Sequence, residues 1–238
     1  MEMLLQDRPI RRVAIIDDKE MARESMSEIL FDAGFEPIPQ KCIEADYASF
    51  IKRIMNEADA AVFDFHLSPG NYARFDGAHA VSTLYDKLFP AVLLTQRQGQ
   101  GFDTAGIISK RRKIPSFINS ADGDVDSIYE GIERCVRELN SEVLPDRQGY
   151  RTVVRVEEIN QEDAHRKIAR VVVPAWNPEA SIPLPLDYIT GFIGKEITEG
   201  TRLFAEVNIG AREFQDLFFD RIELAKGLRD EFSKLIHS

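Results

Sequence analysis

The chain has 238 residues, 44% hydrophobic and 29% charged, which is the mix of a folded globular protein and excludes a disordered or fibrous one. With 40 acidic residues against 30 basic ones its formal charge is -10, which argues against a broad face for duplex DNA. No apolar run approaches the roughly 20 residues that span a bilayer, and the start MEMLLQDRPIRR lacks the order of a signal peptide. Two cysteines, Cys42 and Cys135, cannot build a disulfide framework or a four-thiolate metal site. A cytoplasmic protein of one large domain or two ordinary ones is the expectation, with no membrane partner.

Arg12 to Ile16 (RVAII) is a β-branched run that ends abruptly in Asp17 and Asp18. From Glu20 to Ala33 the apolar positions recur at helical spacing, and Gly34 follows where a C-terminal cap belongs. Phe35 to Ile38 predicts a short strand closed by Pro39, and Ala48 to Ala58 a second helix. Ala60 to Phe65 (AAVFDF) reads as a buried strand, followed by the polar loop LSPGNYARFDG. A third helix spans Ala78 to Leu88, and Pro90 to Thr95 (PAVLLT) a fourth strand. Ser116 to Ile118 gives a weaker fifth strand, and about 124 to 139 a last helix. Alternation of this kind predicts right-handed βαβ units around a parallel sheet.

After the linker candidate at 145–150, the pattern changes. Five β-rich runs follow: Thr152 to Ile159, Lys167 to Ala175, Ile182 to Leu186, Leu203 to Ile209 and Gln215 to Leu224. They predict a small all-β barrel domain over 151–238, of which about 150 to 225 is expected to fold alone, with a short amphipathic helix from Lys226 to Ser238. Between Arg147 and Ala225 there are 10 basic and 13 acidic residues, a near balance that again disfavours duplex DNA. Trp176 is expected to pack across the barrel.

In parallel α/β sheets sites form at the carboxyl ends of strands. Asp17, Asp18 and Asp64 stand at two such ends, and if those strands are neighbours the three carboxylates converge. Clustered anions imply a cation, and hard oxygen ligands suit Mg²⁺ or Mn²⁺. Thr95, a hydroxyl at the end of PAVLLT, lies on the same edge.

VAIIDD, then AAVFDF and then PAVLLT, together resemble the receiver (CheY-like) domain of two-component response regulators over about residues 11–140. The resemblance implies a flavodoxin-like, doubly wound five-stranded sheet in a domain over 1–144. It implies that Asp64 is the phosphoacceptor, that Asp17 and Asp18 hold Mg²⁺ with Asp64, and that the backbone carbonyl of His66 is a further ligand. Thr95 would hydrogen-bond the phosphoryl oxygen, and Phe117 is the candidate switch aromatic. The implied partner is a histidine kinase or phosphotransfer protein, with output through protein contacts of the barrel to a protein the sequence does not name.

Three features depart from the family. The loop from Asp64 to Gly77 is longer, and its Asn71, Tyr72 and Arg74 overhang the acceptor. The family's Lys-Pro pair after the fifth strand is replaced by Asn119 and Ser120. The fourth helix gives way to Gly-rich QRQGQGFDTAG, in the region that receivers use for partner docking and homodimerisation. The basic run KRRK at 110–113 reads as a solvated face, with partner docking as the alternative. Two other readings stay open: a pseudo-receiver scaffold that takes no phosphate, favoured by the absent Lys, and a Mg²⁺-dependent phosphatase. No general acid or second acidic motif supports the phosphatase, so the expectation is a protein that is not an enzyme.

Overall fold

The computed structural model describes residues 3–41, 46–67, 72–95, 107–161 and 167–225. The Gly-rich stretch, Cys42, Asn71 and the expected C-terminal helix lie outside them. The chain forms two compact units, one of 1–102 with 113–144 and one of 103–112 with 145–238.

The first unit opens with a hairpin that the sequence reading passed over, β1 (Leu4–Leu5) and β2 (Arg8–Pro9). Gln6 and Asp7 form its two-residue turn at φ 48° and 66°, the left-handed pair that such a turn requires. Five parallel strands follow: β3 (Arg12–Ile16), β4 (Glu36–Pro39), β5 (Ala60–Asp64), β6 (Ala91–Thr95) and β7 (Ser116–Asn119). Their order across the sheet is β4-β3-β5-β6-β7, the doubly wound flavodoxin-like topology. The central strands read as continuous apolar runs because both faces are covered, and Val13 to Ile16 and Ala60 to Phe63 are all buried.

The covering helices are α1 (Glu20–Asp32), α2 (Tyr47–Glu57), α3 (Gly77–Tyr85) and α4 (Val125–Leu139). Three of them start on an aspartate that accepts a first-turn backbone N–H: Asp46 from Ser49, Asp76 from His79 and Asp124 from Ser127. Such caps satisfy amides that have no partner within the helix, at about 1 kcal/mol each. At the sheet edge, β4 points the N–H groups of Glu36 and Gln40 at β3. The alternate positions, whose N–H groups would face outward, are Pro37 and Pro39. The edge therefore offers no donors to a foreign strand.

The second unit is an antiparallel sheet of β8 (Tyr150–Gln161), β9 (Lys167–Val173), β10 (Asn177–Pro185), β11 (Arg202–Val207) and β12 (Phe219–Leu224). Its order is β10-β9-β8-β11-β12, so β10 and β12 are its edge strands. The expected five strands are present as an antiparallel sheet; among the described residues β10 and β12 do not pair, so the sheet does not close into the expected barrel. Between β10 and β11 lies a helix absent from the sequence reading, α5 (Leu186–Ile193), which packs on β9, β10 and β12. It sinks Ile189 into the same core as Val154, Val171, Leu203 and Phe219. Its run LDYITGFI is rich in β-branched and aromatic residues, so propensity favoured strand and packing decided for helix. Trp176 packs at this core's margin and donates its indole N–H to the Ala211 carbonyl at 2.7 Å.

Candidate functional site

Strands β3, β5 and β6 are adjacent, so their carboxyl ends share one edge. Asp17 and Asp18 follow the last residue of β3, Asp64 ends β5 and Thr95 ends β6. In register Phe63 lies beside Ile16 and Asp64 beside Leu94, which brings the four candidate residues to one end of the sheet.

Two of the carboxylates are held by their own loops. Asp17 accepts the Lys19 N–H at 2.8 Å, and Asp64 accepts the His66 N–H at 2.9 Å. Burial, followed by the charge of Asp17 and then that of Asp18, pushes the Asp64 carboxyl up to about 6. Burial also raises Asp17, with a smaller push from Asp18. Lys19 opposes both shifts through its charge. Like charges that raise one another mark an anionic pocket that a cation would relieve.

Thr95 is 0% exposed, and its Oγ1 has no hydrogen-bond partner among the described residues. A buried hydroxyl left in that condition costs about 1–3 kcal/mol. Beside the acids a cavity of about 170 Å³ opens between Asp17, Asp64, Ser120 and Gly123, with Met26 and Val62 behind them. Ser120 and Gly123 reach this site from the turn after β7, a placement that nothing in their own sequence signals.

Asp17, Asp18 and Asp64 are hard oxygen donors in mutual electrostatic range, which suits Mg²⁺ or Mn²⁺. Among the described residues no three His, Cys, Asp or Glu side chains are gathered closely enough to form a ready metal cage. The residues fit the ion in kind, with the Asp17 and Asp64 carboxylates turned onto their own loops.

The remaining expectations divide. Gly77 starts α3 against the acceptor, where a Cβ would lie 2.1 Å from the Asp64 carbonyl oxygen. Tyr72 is tied away from the acids, its hydroxyl donating to the Gln40 carbonyl at 2.6 Å. Arg23 stacks 5.8 Å from the Tyr72 ring and donates to the Asp17 carbonyl at 2.6 Å, a link the sequence reading missed. Asn119 sits beside Thr95 in register, but its side chain caps the following turn through Ala121 and Asp122. Phe117 is buried within β7. The KRRK run is not a solvated face: Arg111 is 3% exposed and Lys113 pairs with Asp86 at 2.6 Å. Charged side chains usually face water, and here the Gln215 carbonyl and the Asp216 carboxylate hold Arg111 inside instead, while Lys113 stays about half exposed.

No family model and no curated protein matches the sequence. Among solved structures the chain is similar to a response regulator receiver domain protein from Clostridium thermocellum, 12% identical over 56% of this chain and 98% of that one, with a TM-score of 0.43. The signal receiver domain of a modulated diguanylate cyclase from Desulfovibrio desulfuricans G20 is 16% identical over the same shares, with a TM-score of 0.44. A CheY-like receiver domain protein from Methanospirillum hungatei JF-1 is also 16% identical over 56% and 98%, with a TM-score of 0.41. The matched part is the N-terminal one. No described helix is long and apolar enough to cross a membrane.

Proposed function

We propose that the chain is a response-regulator-like signalling protein whose Asp64 accepts a phosphoryl group from a histidine kinase or phosphotransfer protein. The observation that carries this reading is Thr95, a fully buried hydroxyl on the strand next to Asp64 that has no partner among the described residues. A phosphoryl group on Asp64 would give that hydroxyl an acceptor and remove its cost. In the transfer an Asp64 carboxylate oxygen forms the new O–P bond while the donor's P–N bond breaks. The donor imidazole keeps the electron pair and takes up a proton. The His66 N–H holds one Asp64 oxygen and leaves the other to attack. Mg²⁺ or Mn²⁺, held by Asp17, Asp18, Asp64 and the backbone carbonyl of His66, would neutralise charge as donor and acceptor meet. Output in this proposal runs through protein contacts of the second unit, in the cytoplasm and without duplex DNA.

A second reading, a scaffold that takes no phosphate, draws support from Asn119, which stands where the family has its Lys and bonds to Ala121 and Asp122 of the following turn. Acetyl phosphate with excess Mg²⁺, followed by intact mass, separates the two. The phosphoacceptor reading expects one added phosphoryl group in the wild type and none in Asp64→Asn. It also expects Mg²⁺ alone to raise Tm, by about 1 kcal/mol of stability at a few Kd, and Asp18→Asn to abolish that gain. An unmodified wild type with metal-independent melting would leave the scaffold reading.

A further inference from the structure

Helices α2, α3 and α4 each open on an aspartate cap, whereas α1 opens on Lys19, whose side chain makes no cap. The first turn of α1 is tied to the acidic edge by another route. Arg23, 9% exposed, donates its Nη1–H to the Asp17 carbonyl at 2.6 Å. Its backbone N–H donates to the Lys19 carbonyl at 3.1 Å, so the side chain reaches back over the turn from which the helix starts. Asp17 is thus fixed at two points, its carbonyl by Arg23 and its carboxylate by the Lys19 N–H.

Arg23 has a seat of its own. Its guanidinium stands 5.8 Å from the centre of the Tyr72 ring, in the loop between Asp64 and Gly77. The Tyr72 hydroxyl donates to the Gln40 carbonyl at 2.6 Å. Gln40 is 3% exposed, its N–H donates to the Ile15 carbonyl at 2.9 Å, and Arg53 donates to its side-chain oxygen. These contacts close a ring, from Ile15 of β3 through Gln40, Tyr72 and Arg23 and back to the chain at Asp17, two residues on. The ring joins the turns that follow β3, β4 and β5 at the carboxyl edge. A guanidinium is planar and carries donors only, so a ring face and a carbonyl together define its place more tightly than they would an ammonium's.

We propose that Arg23 is a positioning residue for the metal-holding acids: seated on Tyr72, it fixes the backbone path at Asp17 and with it the place of the Asp17 and Asp18 carboxylates. Where it concerns the metal, this rests on the function proposed above. Arg23 acts through Asp17, and position and charge give opposite signs. A cation near the acids repels Mg²⁺, so its removal would tighten metal binding if charge were its only effect. Losing a residue that holds a ligand from behind weakens metal binding instead.

The test compares wild type, Arg23→Met and Arg23→Lys in the full chain, by ¹⁵N amide spectra without metal and then by Mg²⁺ titration. In Arg23→Met the Asp17 and Asp18 amides are expected to be displaced before any metal is added. Its Mg²⁺ Kd is expected to rise about tenfold, the lower end of the losses seen when a ligand's support is removed. Arg23→Lys keeps a donor for the Asp17 carbonyl and is expected to recover part of that loss. Unmoved Asp17 and Asp18 amides in Arg23→Met would overturn the proposal, and so would an equal or lower Kd. If Arg23→Met does not fold, Tyr72→Leu leaves Arg23 in the chain, removes its seat and carries the same two readouts with the same overturning results. A wild type that Mg²⁺ leaves unchanged, with the Asp17 and Asp18 amides displaced in Arg23→Met, sinks the metal reading and leaves the positioning.

Discussion

Asp64 gains a hydrogen bond from His66 and loses more to burial and to its acidic neighbours, so its carboxyl rises from 3.8 to about 6. The folded state thus holds this proton more tightly than the unfolded state does. Its contribution to stability is greatest in acid and is lost as pH rises from about 4 to about 6. Asp64→Asn removes the charge while keeping an oxygen for the His66 N–H. In the absence of metal we expect the variant to gain about 1–2 kcal/mol at pH 7, a range already discounted for solvent screening. The gain should vanish near pH 4. Thermal melts across this range check it, and a destabilised variant at pH 7 would contradict the raised acid. The same proton bears on chemistry, because only the carboxylate attacks phosphorus, and a cation bound beside it would weaken its hold on that proton.

Among the elements, the α3 start bears most directly on the site. Gly77 N–H donates to the Phe65 carbonyl at 3.0 Å, and its missing side chain lets the helix pass against the Asp64 backbone. A Cβ there would stand 2.9 Å from the Asp64 carbonyl carbon and 3.1 Å from a Leu93 methyl. Backbone cannot give way as the far end of a side chain can, so Gly77→Ala is expected to cost about 1–3 kcal/mol. Its mark is that acetyl phosphate labelling falls with it, because the displaced atoms belong to the acceptor residue. A variant that melts lower yet labels at the wild-type rate would show that α3 and Asp64 move independently. The N-terminal hairpin is held differently, by Asn140 at the end of α4, which accepts the Gln6 N–H at 3.1 Å and donates to the Leu4 carbonyl at 2.9 Å.

At the scale of the molecule, the partition of the chain matters more than its charge. The expectation is a second domain folding by itself from about residue 150, while Ile108 packs in its core and Arg147 holds the carbonyls of Arg111 and Arg112, so we expect these residues to contribute to its stability. A fragment of residues 145–238 would leave a gap where Ile108 sits and would bury Arg147 without the carbonyls it holds. Filling such a place with a large aliphatic side chain contributes about 1.5–3 kcal/mol, a large share of a small domain's stability. We expect the fragment to melt well below the same domain in the full chain, or without a cooperative transition. An equal Tm would show that 107–112 is dispensable.

The sequence by itself determined the parallel sheet and its acidic edge. Runs such as VAIIDD and AAVFDF carry their own instructions: apolar residues bury on both faces of a strand, and the first charged residue ends it at the carboxyl end. The aspartate caps of α2, α3 and α4 are equally local, because a carboxylate and an amide three residues on need no distant partner. The tertiary structure alone decided the rest. The burial of Arg111 depends on Asp216, 105 residues away, and that of Arg147 on carbonyls 36 and 35 residues back. Helix α5 exists because the core among β9, β10 and β12 accepts Ile189, although its residues favour strand. Thr95 reads as one more β-branched strand residue until its neighbours fill in around it and leave its hydroxyl without a partner among the described residues. Local propensity and periodicity report what a residue does to its own backbone; which buried polar groups find partners is settled by segments that meet only when the chain has folded.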